Sequence, residues 1–200
     1  MDPISLTTER LKLCAFTADD VEDVYAACQD PGIQRWIPAI PIPYERSDAA
    51  DFVGLTVPTG WRDDTAYSFC VRLRDGGSLV GSAGLHHPRE GGWEVGFWTA
   101  PEHRGRGYAT EITLALARWA FTELGSVRLE WRAQVGNAAS LAVARKAGFT
   151  VEGVNRAAIR DRGTVRDGWV ASLLPSDLGL ASALPYLSAP ASAPGVRGAV

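Results

Sequence analysis

Apolar and polar residues alternate along Arg10-Leu11-Lys12-Leu13-Cys14-Ala15-Phe16, which predicts an amphipathic strand near the start of the chain. Thr17-Ala18-Asp19-Asp20 then reads as a helix start: the hydroxyl can cap, and the carboxylates suit the positive end of the helix dipole. This helix is expected to run to about Gln29 and to stop before Pro31-Gly32. Ser47 is expected to cap a second helix ending near Pro58-Thr59-Gly60. Between the two, the prolines of Trp36-Ile37-Pro38-Ala39-Ile40-Pro41-Ile42-Pro43 exclude regular helix and central strand. An apolar, stiff loop has to lie over something, either core or a substrate pocket.

Strand alternation returns at residues 67–73 and 79–85, which flank the hairpin turn Asp75-Gly76-Gly77. A third strand, residues 93–98, follows Gly91-Gly92, and its interior Gly96 predicts a bulge or close approach by another backbone. A long helix from about Tyr108 to Leu124 carries Ala109, Ile112, Leu116, Trp119 and Ala120 on one face and stops at Gly125. Residues 127–132 return as a strand, and Asn137 caps a short helix ending at Lys146-Ala147-Gly148. Residues 149–160 and 164–174 form a last hairpin across Asp161-Arg162-Gly163. After about Asp177 the chain becomes rich in Ala, Ser and Pro, as in a flexible tail or an oligomer contact. The order describes one α/β domain over residues 1–178, with residues 179–200 as the tail.

The composition narrows the function classes. With 200 residues, 46% hydrophobic and 22% charged, the chain has the balance of a globular domain with a substantial core. A net charge of -3 supplies no basic field for displacing counterions from phosphates, which argues against a nucleic-acid partner. Cys14, Cys28 and Cys70 are scattered and form no C-x-x-C pair, so neither a metal site nor a disulfide framework is expected. They read as core residues in a reducing compartment. The N-terminus lacks the basic and apolar regions of a signal peptide, and no apolar run approaches a membrane span. A cytoplasmic protein without membrane attachment is the expectation.

The chemistry concentrates in Arg104-Gly105-Arg106-Gly107-Tyr108-Ala109, between a strand and a long helix. Its glycines let the backbone approach a ligand, and the N–H groups and positive dipole of the helix start face the same point. The arginines add charge. An anion site, most naturally for a diphosphate, is the physical prediction. A P-loop would need a lysine that is missing here. The dinucleotide-binding pattern fails because Thr110 stands at its third glycine and antiparallel-looking strands precede the loop.

Arg104-x-x-Gly107-x-Ala109 matches the [QR]-x-x-G-x-[GA] motif that binds acetyl-CoA in the GNAT superfamily. Gly81-Ser82-Ala83-Gly84-Leu85, Trp93-Glu94-Val95-Gly96-Phe97-Trp98, Pro101 to Glu111, and Asn137-x-x-Ser140 with Ala147-Gly148-Phe149 resemble the ribosomal-protein N-terminal (RimJ/RimL-like) acetyltransferase branch. The resemblance spans about Ser5 to Leu178. It implies a mixed, mainly antiparallel central sheet, splayed at the cofactor site and flanked by helices. It further implies that the backbone from Arg104 to Ala109 binds the pyrophosphate of acetyl-CoA, and that the strand edge at Phe97, Trp98 and Thr99 hydrogen-bonds the pantetheine arm. Asn137 would contact that arm and Ser140 would protonate the leaving thiolate.

A primary amine at neutral pH is mostly protonated, so a base or water path must take a proton before it attacks the thioester. Glu94 is the first candidate, acting through water, with His86 and His87 behind it. The resemblance also implies a glutamate after the Asn-x-x-Ser helix in part of the family, but residues 154–159 contain no acid. Asp167 is expected to contact substrate or to pair with Arg160 or Arg162. Trp36, Trp61 and Trp131 are candidates for the acceptor pocket or the core, and Glu22, Asp23, Asp63 and Asp64 for an acidic acceptor site. The acceptor is a protein α-amino group or a small-molecule amine such as an antibiotic. A non-catalytic acyl-CoA-binding module is the alternative class, and a homodimer fits the family habit.

Overall fold

The alternating segments build an eight-stranded sheet, seen in a computed structural model that describes residues 1–87 and 92–189. Its strands are β1 (Leu6–Thr7), β2 (Leu11–Cys14), β3 (Ala66–Leu73), β4 (Leu79–His86), β5 (Trp93–Thr99), β6 (Leu129–Gln134), β7 (Thr150–Asp161) and β8 (Thr164–Leu173). They lie in the order β1-β2-β3-β4-β5-β6-β8-β7, and every neighbouring pair is antiparallel except β5 with β6. The helices are α1 (Val21–Ala27), α2 (Pro31–Trp36), α3 (Arg46–Asp51), α4 (Val57–Arg62), α5 (Tyr108–Thr122) and α6 (Ala138–Lys146).

The period of two along the strands feeds two apolar layers. On one side Phe69, Val71, Leu85 and Val95 meet Ile112, Leu116 and Ala120 of α5, all nearly or fully inaccessible to water. On the other, Cys70 and Leu79 meet Val24 of α1, Ile33 of α2 and Ala49 of α3. Among the described residues no helix is long and apolar enough to cross a membrane. The three cysteines are free.

The helices before β3 differ most from expectation. α1 does stop before Pro31, but Pro31 then opens a further helix, α2, at a first-turn position where its missing N–H costs nothing, and Asp30 caps the turn by accepting from Ile33 N at 2.8 Å. Glu45, not Ser47, begins α3. The helical path continues through a π segment at Phe52–Thr56 into α4, with Pro58 within the latter's first turn. The wider π turn lets the chain pass a residue that cannot donate. Gly96 marks no bulge, since β4 and β5 stay in register from Gly81–Thr99 to His86–Glu94. What lies over Gly96 is a side chain: a Cβ there would come within 3.1 Å of His86 Cε1. Close backbone approach occurs instead at Gly81, where a Cβ would meet Trp98 O at 2.1 Å. Gly91 and residues 190–200 of the tail lie outside the described residues; Leu178 and Leu180 still pack against the core, and residues 180–189 carry no helix or strand.

Candidate active site

β5 and β6 pair only at Trp93–Leu129 and Glu94–Glu130, although each continues for several more residues. From Val95 onward the edge of β5 that faces β6 therefore has no strand partner. The gap opens into a cleft of about 1050 Å³. Glu94, Ser140, Asn137 and the expected cofactor-binding residues from Phe97 to Ala109 line it, except Arg106.

One wall is the turn leading into α5. Gly105 and Gly107 have φ of +75° and +79°, which bends the backbone so that Gly107 can cap the helix. The first-turn N–H groups of α5 have no intrahelical acceptor and face outward with the dipole. The N–H of Arg104 is not among the free donors, because it is given to Pro101 O at 3.2 Å, so the donor run starts at Gly105. The Arg104 guanidinium is also committed, to Thr99 O at 3.1 Å and Asp30 Oδ1 at 2.6 Å. It ties the end of β5 to the start of α2. Burial works against charge on Asp30, but hydrogen bonds from Arg104 and the Ile33 N–H outweigh it and hold the carboxyl below its ordinary range.

Arg10 is a residue that sequence reasoning missed. Its guanidinium donates to Arg106 O at 2.9 Å, lies 4.8 Å from the centroid of the Tyr108 ring, and pairs with Glu111 at 2.5 Å. Glu111 also accepts from Thr8 Oγ1 at 2.6 Å and Arg10 N at 3.0 Å. Its carboxyl is held below the ordinary range although burial opposes the charge, because these donors offset the lost hydration. The partners are about a hundred residues apart, and no local signal in the sequence joins them.

The facing wall is the start of α6. The Asn137 side-chain carbonyl accepts from Ser140 N at 3.1 Å, so the residue is a helix cap, with its amide N–H groups left for other partners. Ser140 Oγ accepts from Trp131 Nε1 at 3.1 Å. At the mouth of the gap, Glu94 Oε2 accepts from Arg132 Nε at 2.8 Å, and Arg132 also pairs with Glu130 at 2.9 Å. Glu94 Oε1 faces His86 Nε2 at 3.6 Å. His87 turns elsewhere: Nδ1 lies 3.1 Å from Gly92 O, and its ring stacks on Trp93.

A family profile described as "Acetyltransferase (GNAT) domain" matches residues 10–150. The chain belongs to the GNAT acetyltransferase family. It is 30% identical over 149 residues to the uncharacterized N-acetyltransferase YnaD of Bacillus subtilis, a match covering 74% of this chain and 84% of YnaD. Its structure is similar to that of a Vibrio cholerae protein assigned provisionally as a ribosomal-protein-serine acetyltransferase. The TM-score is 0.78 and the identity 26%, over 88% of this chain and 100% of that one. RimL, a ribosomal L7/L12 alpha-N-protein acetyltransferase solved with coenzyme A, shares the fold at a TM-score of 0.75 and 18% identity, over 86% of this chain and 98% of its own. The protein is thus an acetyltransferase with acetyl-CoA as co-substrate.

In this GNAT domain the proline-bearing loop lies over both core and cleft. Trp36, Ile37, Pro38 and Ala39 line the cleft, and Ile40 packs among buried residues. Arg162, at the tip of the β7–β8 hairpin, donates to Gln34 O at 2.6 Å, Ile37 O at 3.2 Å and Ile40 O at 2.9 Å. Asp167 contacts neither Arg160 nor Arg162; its carboxylate accepts from Ala157 N at 2.9 Å, at an irregularity in β7 where Ala157 has φ of 53°. Trp131 and Trp36 border the cleft, whereas Trp61 is core, its N–H donated to Ser68 O. The expected acids are absent from the lining: Glu22 pairs with Arg46, Asp23 with Arg72, Asp63 with Arg62 and Asp64 with the N-terminus. Asp48 and Asp51 of α3 line it instead.

Proposed function

We propose that this protein transfers the acetyl group of acetyl-CoA to a protein N-terminal α-amino group by direct attack within a ternary complex. The observation that carries this reading is the single cleft joining the α5 turn, the free edge of β5 and the proline-bearing loop. A cleft of this volume can hold the cofactor arm and the amine together, and no relay through a covalent enzyme intermediate is needed. The likeness to the Vibrio cholerae protein and to RimL, whose names specify ribosomal-protein acceptors, supports a protein amine over a small one.

In this reading the N–H groups from Gly105 to Ala109 receive the pyrophosphate, with Arg104 and Arg106 positioning the turn. The edge of β5 at Phe97, Trp98 and Thr99 and the amide of Asn137 hold the pantetheine arm. An N–H of the same edge, between Val95 and Phe97, meets the oxyanion that develops on the thioester. Ser140 gives its proton to the departing thiolate. Glu94 supplies the negative charge on the acceptor side that drives deprotonation of the amine.

The test is an acetylation assay with peptides of varied N-terminal residue, free lysine side chains and small polyamines, read by mass. Acetylation at peptide α-amines supports the reading. Product only from small amines replaces it with a small-molecule acetyltransferase. Calorimetric binding of acetyl-CoA with no product from any amine replaces it with a non-catalytic acyl-CoA-binding module.

A further inference from the structure

Glu94 is a poor candidate for the atom that first receives the proton, on geometry alone. One carboxylate oxygen is occupied by Arg132 Nε at 2.8 Å, and the side chain is only 16% exposed. The other oxygen faces an imidazole rather than open space, since His86 Nε2 lies 3.6 Å away. His86 and Glu94 are direct cross-strand partners, so the pleat turns both side chains to the same face. His86 is 47% exposed and lines the cleft.

We propose that His86 is the catalytic base that takes the amine's proton, and that Glu94, fixed by Arg132, is the positioning carboxylate behind it. The proposal rests on the acetyl-transfer reading above and adds a residue to it. With Nε2–H directed at Glu94, the imidazole presents the lone pair of Nδ1 to the substrate. The missing side chain of Gly96 creates the space for this ring. A Cβ there would stand 3.1 Å from His86 Cε1 and 3.8 Å from Nδ1. The ring is therefore held over Gly96, two residues beyond Glu94, the last residue of β5 paired with β6, beside the edge assigned to the acetyl group. Glu94 and Arg132, the latter also paired with Glu130, are the charged groups next to His86, and Asp48, Asp51, Arg104 and Lys146 line the rest of the cleft.

The proton accounting closes without another reagent. The ammonium form of the acceptor gives one proton to Nδ1, directly or through a water, and Glu94 stabilises the imidazolium. The neutral nitrogen attacks the thioester carbon, forming C–N. Collapse of the tetrahedral oxyanion breaks C–S, and the thiolate takes its proton from Ser140. The second nitrogen proton replaces that of Ser140 through solvent, and the imidazolium releases its own proton to water.

The test uses the full chain with any amine it acetylates. His86→Gln is expected to lower kcat by about 10²-fold, as for loss of a general base, with acetyl-CoA affinity by calorimetry unchanged. Added imidazole should restore part of the rate in His86→Ala. Glu94→Gln, whose amide oxygen can still accept from the ring N–H, should lower kcat less than Glu94→Ala, which leaves that N–H without its partner. A His86→Gln enzyme within about threefold of the parent, or one that keeps its activity where Glu94→Gln abolishes it, overturns the proposal. Nitrogen NMR of the His86 imidazole, which reports the tautomer of the neutral ring, needs no acceptor. A neutral ring that carries its hydrogen on Nδ1 overturns the pairing even if the parent acetylates nothing, an outcome that would instead count against the enzyme reading.

Discussion

Trp131 and Ser140 form a one-way hydrogen bond across the cleft floor: the indole can only donate, so Ser140 Oγ is the acceptor at 3.1 Å. The hydroxyl proton is thereby left for another partner. Ser140→Ala is expected to lower kcat by about 10²-fold while acetyl-CoA affinity, measured by calorimetry, changes little. Trp131→Phe should lower kcat less, because it frees the hydroxyl to rotate without removing its proton. Equal losses in both variants would show that Ser140 acts only through packing.

Arg162 sets Nη2 among three backbone carbonyls of the proline-bearing loop, which share its two hydrogens, while Nη1 pairs with Asp161 at 2.8 Å, a two-pronged grip that a planar guanidinium can serve and a single ammonium cannot. Arg162→Ala and Arg162→Lys are both expected to raise KM for the amine by about tenfold, in line with the loss of charge-assisted hydrogen bonds. KM for acetyl-CoA should stay fixed. Steady-state kinetics in each substrate separates the two, and a rise in the acetyl-CoA value alone would contradict the assignment.

Glu111 links stability to pH. Its folded carboxyl is held below the ordinary value of 4.5, so it contributes stability above that pH and loses it as pH falls through the folded value. Glu111→Gln should cost about 1 kcal/mol at pH 7 and leave less to lose below pH 4.5, which urea unfolding at both pH values measures. Because Arg10 then loses its anchor, acetyl-CoA should also bind more weakly at pH 7.

Gly81 faces a backbone oxygen rather than a movable side chain, with Trp98 O only 2.1 Å from a built Cβ. Gly81→Ala must push β4 from β5 and is expected to destabilise the fold by about 2 kcal/mol or more. A thermal midpoint equal to that of the parent would refute this. Gly105, with nothing within 4 Å of a built Cβ, is limited by its positive φ instead.

The strands, α5 and the turn before it were legible in the sequence because each depends on local spacing: the period of two, the helical face from Ile112 to Ala120, and glycines where φ is positive. The Asn137 cap was legible for the same reason. The helix that Pro31 opens and the passage of α4 beyond Pro58 were not legible, because a proline's effect depends on its place within a turn and the π segment before Pro58 carries no simple pattern. The supports of the site were hidden most deeply. Arg10 with Glu111, Arg132 with Glu94, and Arg162 with Ile40 are joined only by the fold. An arginine's reach gives no clue to its partner until the strands have been ordered.

The brief pairing of β5 with β6 has a mechanical consequence. Strands β1 to β5 and β6 to β8 are two plates spliced along a seam of two residue pairs. On the proposed reading, a cofactor threaded into the gap would bond to the edge of one plate and pack on α6 beside the other, and so act as a splint. Its arrival should slow amide exchange in β8 as well as in β5, although β8 lies beyond β6 and away from the gap. On that reading, the seam that admits the reactants is also the line along which the two plates of the empty domain are least joined.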